Sequence, residues 1–147
     1  MGVVVDTSAV VDLERAGRPI ADTLDELGRE PIGLPAIVLA ELLVGAQLAS
    51  TPVMASERRG KIEAVRARAP VIDFTALVAE RWAELSVELT RTGTPIPSND
   101  LCVAATALTL GWDVLVGHRD EAHFRRVPGL GVRTLPPRDA EREGALP

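Results

Sequence analysis

Cysteine occurs once in this chain, at Cys102. An intrachain disulfide and a multi-cysteine zinc site are both excluded. Tyrosine is absent, and aromatic residues make up 3% of the chain. That is too few for the aromatic platform on which single-strand binders stack bases. Lysine is present once, at Lys61, among 16 basic residues, and 21 acids leave a formal charge of −5. A sequence-independent coat for nucleic acid is usually basic, so that class is disfavoured. An acidic enzyme that meets phosphates through bound cations stays open. Long apolar runs are missing too. The longest apolar-rich stretch, Pro35 to Ala46, holds Glu41 in its middle, and nothing reaches the roughly 18–20 residues that cross a bilayer. Met1 leads straight into a short apolar run ending at Asp6, with no basic segment ahead of it. The reading is neither signal peptide nor membrane anchor, and with a lone thiol it is a cytoplasmic protein.

What is present is an ordinary globular balance: 147 residues, 46% hydrophobic and 25% charged. The length suits one domain with a real core. Val3-Val4-Val5 reads as a short buried strand ending at Asp6. Thr7 or Ser8 caps a helix through Val10, Val11 and Leu13 that Gly17 stops. Pro19 begins a second helix, and Ile32-Gly33-Leu34 is a brief extended piece. Pro35 opens a long helix to about Leu48, apolar on nearly every side and so expected to be buried. Thr51-Pro52 punctuates, and a charged helix follows over 56–69. Val71-Ile72 is a strand. Thr75 caps a helix carrying Leu77, Val78, Trp82, Leu85 and Leu89. After the loop Thr94-Pro95-Ile96-Pro97, Ser98 or Asn99 caps the helix Asp100 to Leu110. Asp113 to Val116 is a strand, Arg119 to Arg126 is loop and short helix, and Gly131 to Thr134 is the last strand. Phe74, Trp82 and Trp112 are expected in the core, Phe124 as the anchor of its loop, and Cys102 as an inert buried thiol. Short apolar strands alternating with helices predict an α/β fold: a short, mostly parallel central sheet flanked by helices, an α/β/α sandwich. The domain is expected over 1–135, with 136–147 a mobile tail.

In open parallel sheets, ligands sit beyond the carboxyl ends of the strands. Asp6 lies at one such end, and Asp120 lies just past another. Asp100 opens a helix, where anions are favoured. Glu41 sits inside the apolar helix, where a lone carboxylate is costly unless paired or bound to a metal. Each has a plain structural reading: a cap, a first-turn acid, a solvated loop charge, a partner for a buried Arg. Together, four carboxylates near one end of a sheet suit Mg²⁺ or Mn²⁺, which take oxygen ligands. Such a cluster supports hydrolysis of a phosphodiester by activated water.

These residues also carry a resemblance. Val4-Val5-Asp6-Thr7-Ser8-Ala9 comes first, then Leu39-Ala40-Glu41-Leu42. Ile96-Pro97-Ser98-Asn99-Asp100-Leu101 follows, leading into Val103-Ala104-Ala105-Thr106-Ala107. Last come Leu115-Val116 through Asp120 to Phe124-Arg125-Arg126-Val127-Pro128-Gly129-Leu130. In this order and at these separations, over about residues 3–135, the chain resembles a PIN domain of the VapC toxin type. The resemblance implies an endoribonuclease dependent on Mg²⁺ or Mn²⁺. It further implies a metal site made of Asp6, Glu41, Asp100 and Asp120, supported by Thr7 or Ser8, with Asn99 close by. The expected products carry a 5′-phosphate and a 3′-hydroxyl. It implies a homodimer, an RNA substrate, and a VapB-type antitoxin that wraps the toxin and blocks its acidic groove.

The chain departs from that pattern two residues before the fourth acid, where the family usually shows Thr or Ser and this chain has His118. Glu121 is therefore an alternative to Asp120. His118 is open to two readings, a contact to substrate phosphate or proton transfer on one side and a surface loop residue on the other. His123 reads as packing or surface. Arg58, Arg59, Lys61, Arg66 and Arg68 read as a solvated helix face that could also steer RNA phosphates. Leu39, Leu42, Leu43 and Leu48 suit partner contact as well as core. Other classes fare worse. A receiver-like phospho-acceptor domain needs a lysine after a late strand, and Lys61 lies in the charged helix. A haloacid-dehalogenase-like phosphatase needs a second acid where Ser8 stands. A PIN fold without catalysis, acting as a binding module, would be expected to have lost an acid, and all four are present.

Overall fold

Three consecutive valines favour extended backbone because branching at Cβ stiffens χ1 and suits the pleated surface. In the computed structural model, which describes residues 1–135, they form β1 (Val3–Val5), and all three are completely buried. β1 is the centre of a five-stranded sheet in the order β3-β2-β1-β4-β5. The other strands are β2 (Ile32–Pro35), β3 (Val71–Ile72), β4 (Asp113–Val116) and β5 (Val132–Thr134). Every pairing is parallel, with Val3 opposite Ile32 on one side and Asp113 on the other. The expected sheet was mostly parallel; the observed one is wholly so.

Seven helices connect the strands: α1 (Thr7–Arg15), α2 (Ile20–Glu26), α3 (Ala36–Gln47), α4 (Pro52–Arg68), α5 (Ala76–Arg91), α6 (Ser98–Leu110) and α7 (Glu121–Arg125). The chain moves outward from β1 to β2 and β3, then returns past β1 to β4 and β5. Right-handed crossovers therefore put α1–α4 on one face of the sheet and α5–α7 on the other. The reversal creates a switch point between β1 and β4, where a parallel sheet opens a crevice at its carboxyl end. Leu101, Val103, Ala104, Ala105 and Ala107 of α6 are buried in the core with the valines of β1 and β4. Small residues let that helix lie close to the strands. Gly111 then ends α6 in the left-handed region at φ 68°, a conformation that costs glycine little.

Several boundaries differ from expectation. Asp6, rather than Thr7 or Ser8, caps α1, its carboxylate accepting from the Ser8 amide. Thr51-Pro52 starts α4 instead of separating it from what precedes: Thr51 accepts from the Met54 amide and Pro52 fills the first turn, where a missing N–H costs nothing. α6 begins at Ser98 after Pro97, with no side-chain cap. Thr75 caps α5 as read, accepting from the Val78 amide. Two burial expectations fail. Phe74 is half exposed, and α3 is far from enclosed, with Leu43, Val44 and Leu48 exposed. Apolar periodicity cannot distinguish a face meant for the core from one meant for another chain. Trp82 and Trp112 pack partly buried against the core, Phe124 is fully buried, and Cys102 is partly buried. The expected tail, 136–147, lies outside the described residues. Among the described residues, no helix is long and apolar enough to cross a membrane.

Candidate metal centre

Asp6 leaves β1 at the switch point and turns the chain into α1. Its Oδ2 accepts from the Ser8 amide at 3.1 Å and the Ser8 hydroxyl at 2.5 Å. Ser8 Oγ in turn accepts from the Gly117 amide at 2.9 Å, which ties the end of β4 to the start of α1. Gly117 is required by that approach: a Cβ there would stand 2.3 Å from the Ser8 carbonyl oxygen. The next amide, His118, donates to Asp12 Oδ2 at 2.8 Å. The backbone of the loop after β4 is thus pinned to α1, and Asp120 follows as the cap position of α7.

α3 follows β2, the neighbour of β1, and carries Glu41 to the same end of the sheet. The Thr7 hydroxyl donates to Glu41 Oε1 at 3.1 Å, and Asn99 also hydrogen-bonds Glu41. Asp100, in the first turn of α6, is buried, and its Oδ2 lies 2.7 Å from His123 Nδ1. The same ring nitrogen is 3.9 Å from Asp120 Oδ1. Glu121 points elsewhere, to Arg125 Nε at 2.8 Å. Of the two candidates in this loop, Asp120 faces the other acids. His118 is exposed.

The electrostatics are those of crowded carboxylates. Burial pushes the Asp6 carboxyl up to about 7, opposed by its Ser8 hydrogen bonds and reinforced by the charges of Asp100 and Asp120. Burial also raises Glu41, against the Thr7 and Asn99 hydrogen bonds, and Asp100 and Asp120 raise it further. Asp100 is raised by burial and by Asp120, while His123 and Arg119 pull it down. A divalent cation would relieve this repulsion, and the donor set is rich in oxygen. The described residues therefore fit such an ion. Asp100, Asp120 and His123 can each offer one ligand atom, all within 4.8 Å of one another.

Beside the acids runs a groove of about 460 Å³ lined by residues including Thr7, Glu41, Arg15, Arg58, Lys61 and Arg119. The basic helix read from sequence divides here. Arg58 and Lys61 face the groove and meet Glu14, whereas Arg66 pairs with Glu63 and Arg68 with Asp25. His123 is the residue whose place sequence reasoning missed. Its signal was spacing: three positions after Asp120, it shares a helix face with that acid.

A five-stranded parallel sheet with a buried acid at the end of its first strand and three more acids around it defines a fold class. The PIN domain family profile matches residues 3–130, and the chain belongs to that family. Within it, the chain is similar over nearly its whole length to VapC ribonucleases. It is 32% identical over 145 residues to a ribonuclease VapC of Rickettsia bellii, covering 95% of this chain and 100% of that one. It is 29% identical over 139 residues to ribonuclease VapC1 of Rickettsia felis, with 95% and 100% covered. Among solved structures it is similar to VapBC2 of Rickettsia felis bound to a DNA fragment from its promoter. The TM-score there is 0.80 and the identity 25%, with 92% of this chain and 100% of that one covered.

Proposed function

We propose that this chain is the toxin of a VapBC-type toxin–antitoxin pair, an endoribonuclease that uses Mg²⁺ or Mn²⁺ to hydrolyse RNA phosphodiester bonds in the cytoplasm. The observation that carries the reading is the convergence of Asp6, Glu41, Asp100 and Asp120 at the switch point, three of them with raised pKa values. Groups perturbed in this way cluster at functional sites. The similarity to named VapC ribonucleases, over 95% of this chain, supports the same reading.

Asp6, Glu41 and Asp100 would hold the principal ion, and Asp120 would help to hold a second. A bound divalent ion supplies Lewis acidity at a phosphate oxygen and lowers the pKa of water. The chain's own residues set the geometry. Ser8 fixes the Asp6 carboxylate in one orientation, and Thr7 and Asn99 do the same for Glu41. Gly117 keeps the loop of Asp120 against α1. Arg119, Arg58 and Lys61 line the adjoining groove, where positive charge attracts a phosphate backbone to an otherwise acidic protein. His118 is exposed at the loop and lines a neighbouring hollow with Asp12, Arg15 and Arg18, outside this groove. Leu43, Val44 and Leu48 of α3 lie exposed, as do Val53 and Met54 of α4, and this apolar tip suits a second copy of the chain or an antitoxin.

The test is cleavage of total cellular RNA by protein freed of any partner, with Mg²⁺ or Mn²⁺, with EDTA, and as Asp100→Ala. Discrete cuts that depend on metal and vanish in both controls are expected. A folded, partner-free sample that cuts nothing, or that cuts equally in EDTA, overturns the proposal.

A further inference from the structure

Resting on that reading, we infer that His123 is itself a metal ligand, so that one ion position is a mixed carboxylate–imidazole site of Asp100, Asp120 and His123 that favours Mn²⁺ over Mg²⁺. The imidazole is aimed by local structure. Asp120 stands at the N-cap position of α7 without a capping hydrogen bond and His123 lies three residues on, so both side chains project from one face of a single turn. His123 Nδ1 sits between the two acids, 2.7 Å from Asp100 Oδ2 and 3.9 Å from Asp120 Oδ1. A histidine that merely orients Asp100 has no need to face the second acid. Ligand atoms from all three residues lie within 4.8 Å of one another, a spacing that modest side-chain rotation closes onto one ion. The His123 side chain is 30% exposed, so an ion can enter from solvent beside it.

The consequence is selectivity. Mg²⁺ demands oxygen donors and keeps its waters, while imidazole suits transition-metal ions. A nitrogen in the donor set therefore favours Mn²⁺ more than an all-carboxylate site does. Asp6 and Glu41 stay outside this triad, and their oxygens remain suited to either ion.

The experiment is pulsed electron paramagnetic resonance of Mn²⁺ added to tag-free protein, with competitive Mn²⁺ and Mg²⁺ titration alongside. The chain has two histidines, His118 and His123, so an imidazole nitrogen coupling can be assigned by substitution. Wild type and His118→Gln are expected to show the coupling and His123→Gln to lose it. The ratio of Mn²⁺ to Mg²⁺ affinity is expected to fall by roughly tenfold in His123→Gln. Glutamine keeps a polar group of similar reach on a partly exposed helix, and circular dichroism confirms that the variant is folded. Mn²⁺ bound without nitrogen coupling overturns the role of His123 and leaves the metal-dependent nuclease standing. Coupling lost in His118→Gln instead also overturns it. A wild type that binds no Mn²⁺ overturns both.

Discussion

Two groups of acids sit at opposite ends of the same sheet, and they are treated in opposite ways. At the amino end, Glu30 precedes β2 and Asp113 opens β4. Arg133 of β5 meets both, with two hydrogen bonds to Glu30 at 2.7 and 2.5 Å and one to Asp113 at 2.9 Å. The guanidinium holds the Glu30 carboxyl below its usual range. At the carboxyl end, Asp6, Glu41 and Asp100 are raised, and among the described residues the one arginine ion-paired to the site's acids is Arg119, which stands 3.7 Å from Asp120 and is largely exposed. Where the fold supplies its own cation, acids serve structure. Where it gathers more negative charge than it balances, the site is shaped for a cation from outside.

The largest effect should come from Asp6→Asn. Cleavage is expected to fall a hundredfold or more, since the proposed metal site loses one of its carboxylates. Stability is expected to move the other way. The carboxyl is pushed up to about 7 in the fold against an ordinary value of 3.8, so between those values the native state holds a proton that the unfolded chain has released. Stability from that proton is full below about pH 4 and is lost as pH rises through about 7. At pH 8 without metal the wild type carries the whole penalty, on the order of a few kcal/mol, and the variant carries none. Thermal unfolding should show Asp6→Asn melting several degrees higher at pH 8, with the gap narrowing at pH 5. A gap that does not change with pH would mean that burial does not raise the Asp6 carboxyl.

Arg133→Met probes the other end and should give the reverse pattern. Glu30 and Asp113 lose their cation, while RNA cleavage stays at the wild-type level because Arg133 lies away from the groove. The side chain is 33% exposed, so solvent screens the loss, and about 1–2 kcal/mol is expected. That corresponds to a few degrees in melting temperature at pH 7. The Glu30 carboxyl is held low, so its stabilisation is present above about pH 4.5 and disappears as pH falls through the lower folded value. The variant should accordingly be less sensitive to acid over that interval. Equal acid sensitivity in the two proteins would contradict the pairing.

Much of this contrast was legible in sequence, and what was not has physical causes. Val3-Val4-Val5 before Asp6 marked both a buried strand and the charge at its end, because a β-branched run and an abrupt carboxylate are local signals. Thr75 and Phe124 were equally local. The division of the basic helix was not: which of Arg58, Lys61, Arg66 and Arg68 face a groove depends on where α4 docks. The exposure of Leu43, Val44 and Leu48 was hidden for a related reason, since an apolar residue reads the same whether a core or a partner covers it. Thr51-Pro52 was misplaced because the pair is a break and a helix start at once. Asp120 could be separated from Glu121 only when Arg125 was seen to engage the latter. His123 needed the fold to bring α7 against the start of α6.

The smallest effect belongs to Thr7→Val, which keeps the shape of the side chain and removes one hydroxyl. The bond from Thr7 to Glu41 is 3.1 Å long and partly buried, and a single such bond contributes about 1 kcal/mol or less to stability. Melting temperature should barely move. The bond favours the charged form of Glu41, which burial already opposes. Without it, the proton competes better with an ion for this carboxylate, and the carboxylate itself is freer to turn. Metal affinity is expected to fall roughly tenfold, the lower end of the range for a residue that orients a ligand. The deficit should be larger at pH 6 than at pH 8, because only the lower pH supplies the competing proton. Thr7→Ser restores the hydroxyl and should restore the affinity. If Thr7→Val binds Mn²⁺ as wild type does at both pH values, Glu41 is held in place without Thr7, and the order at the acidic end comes from Asn99 and the packing of α3.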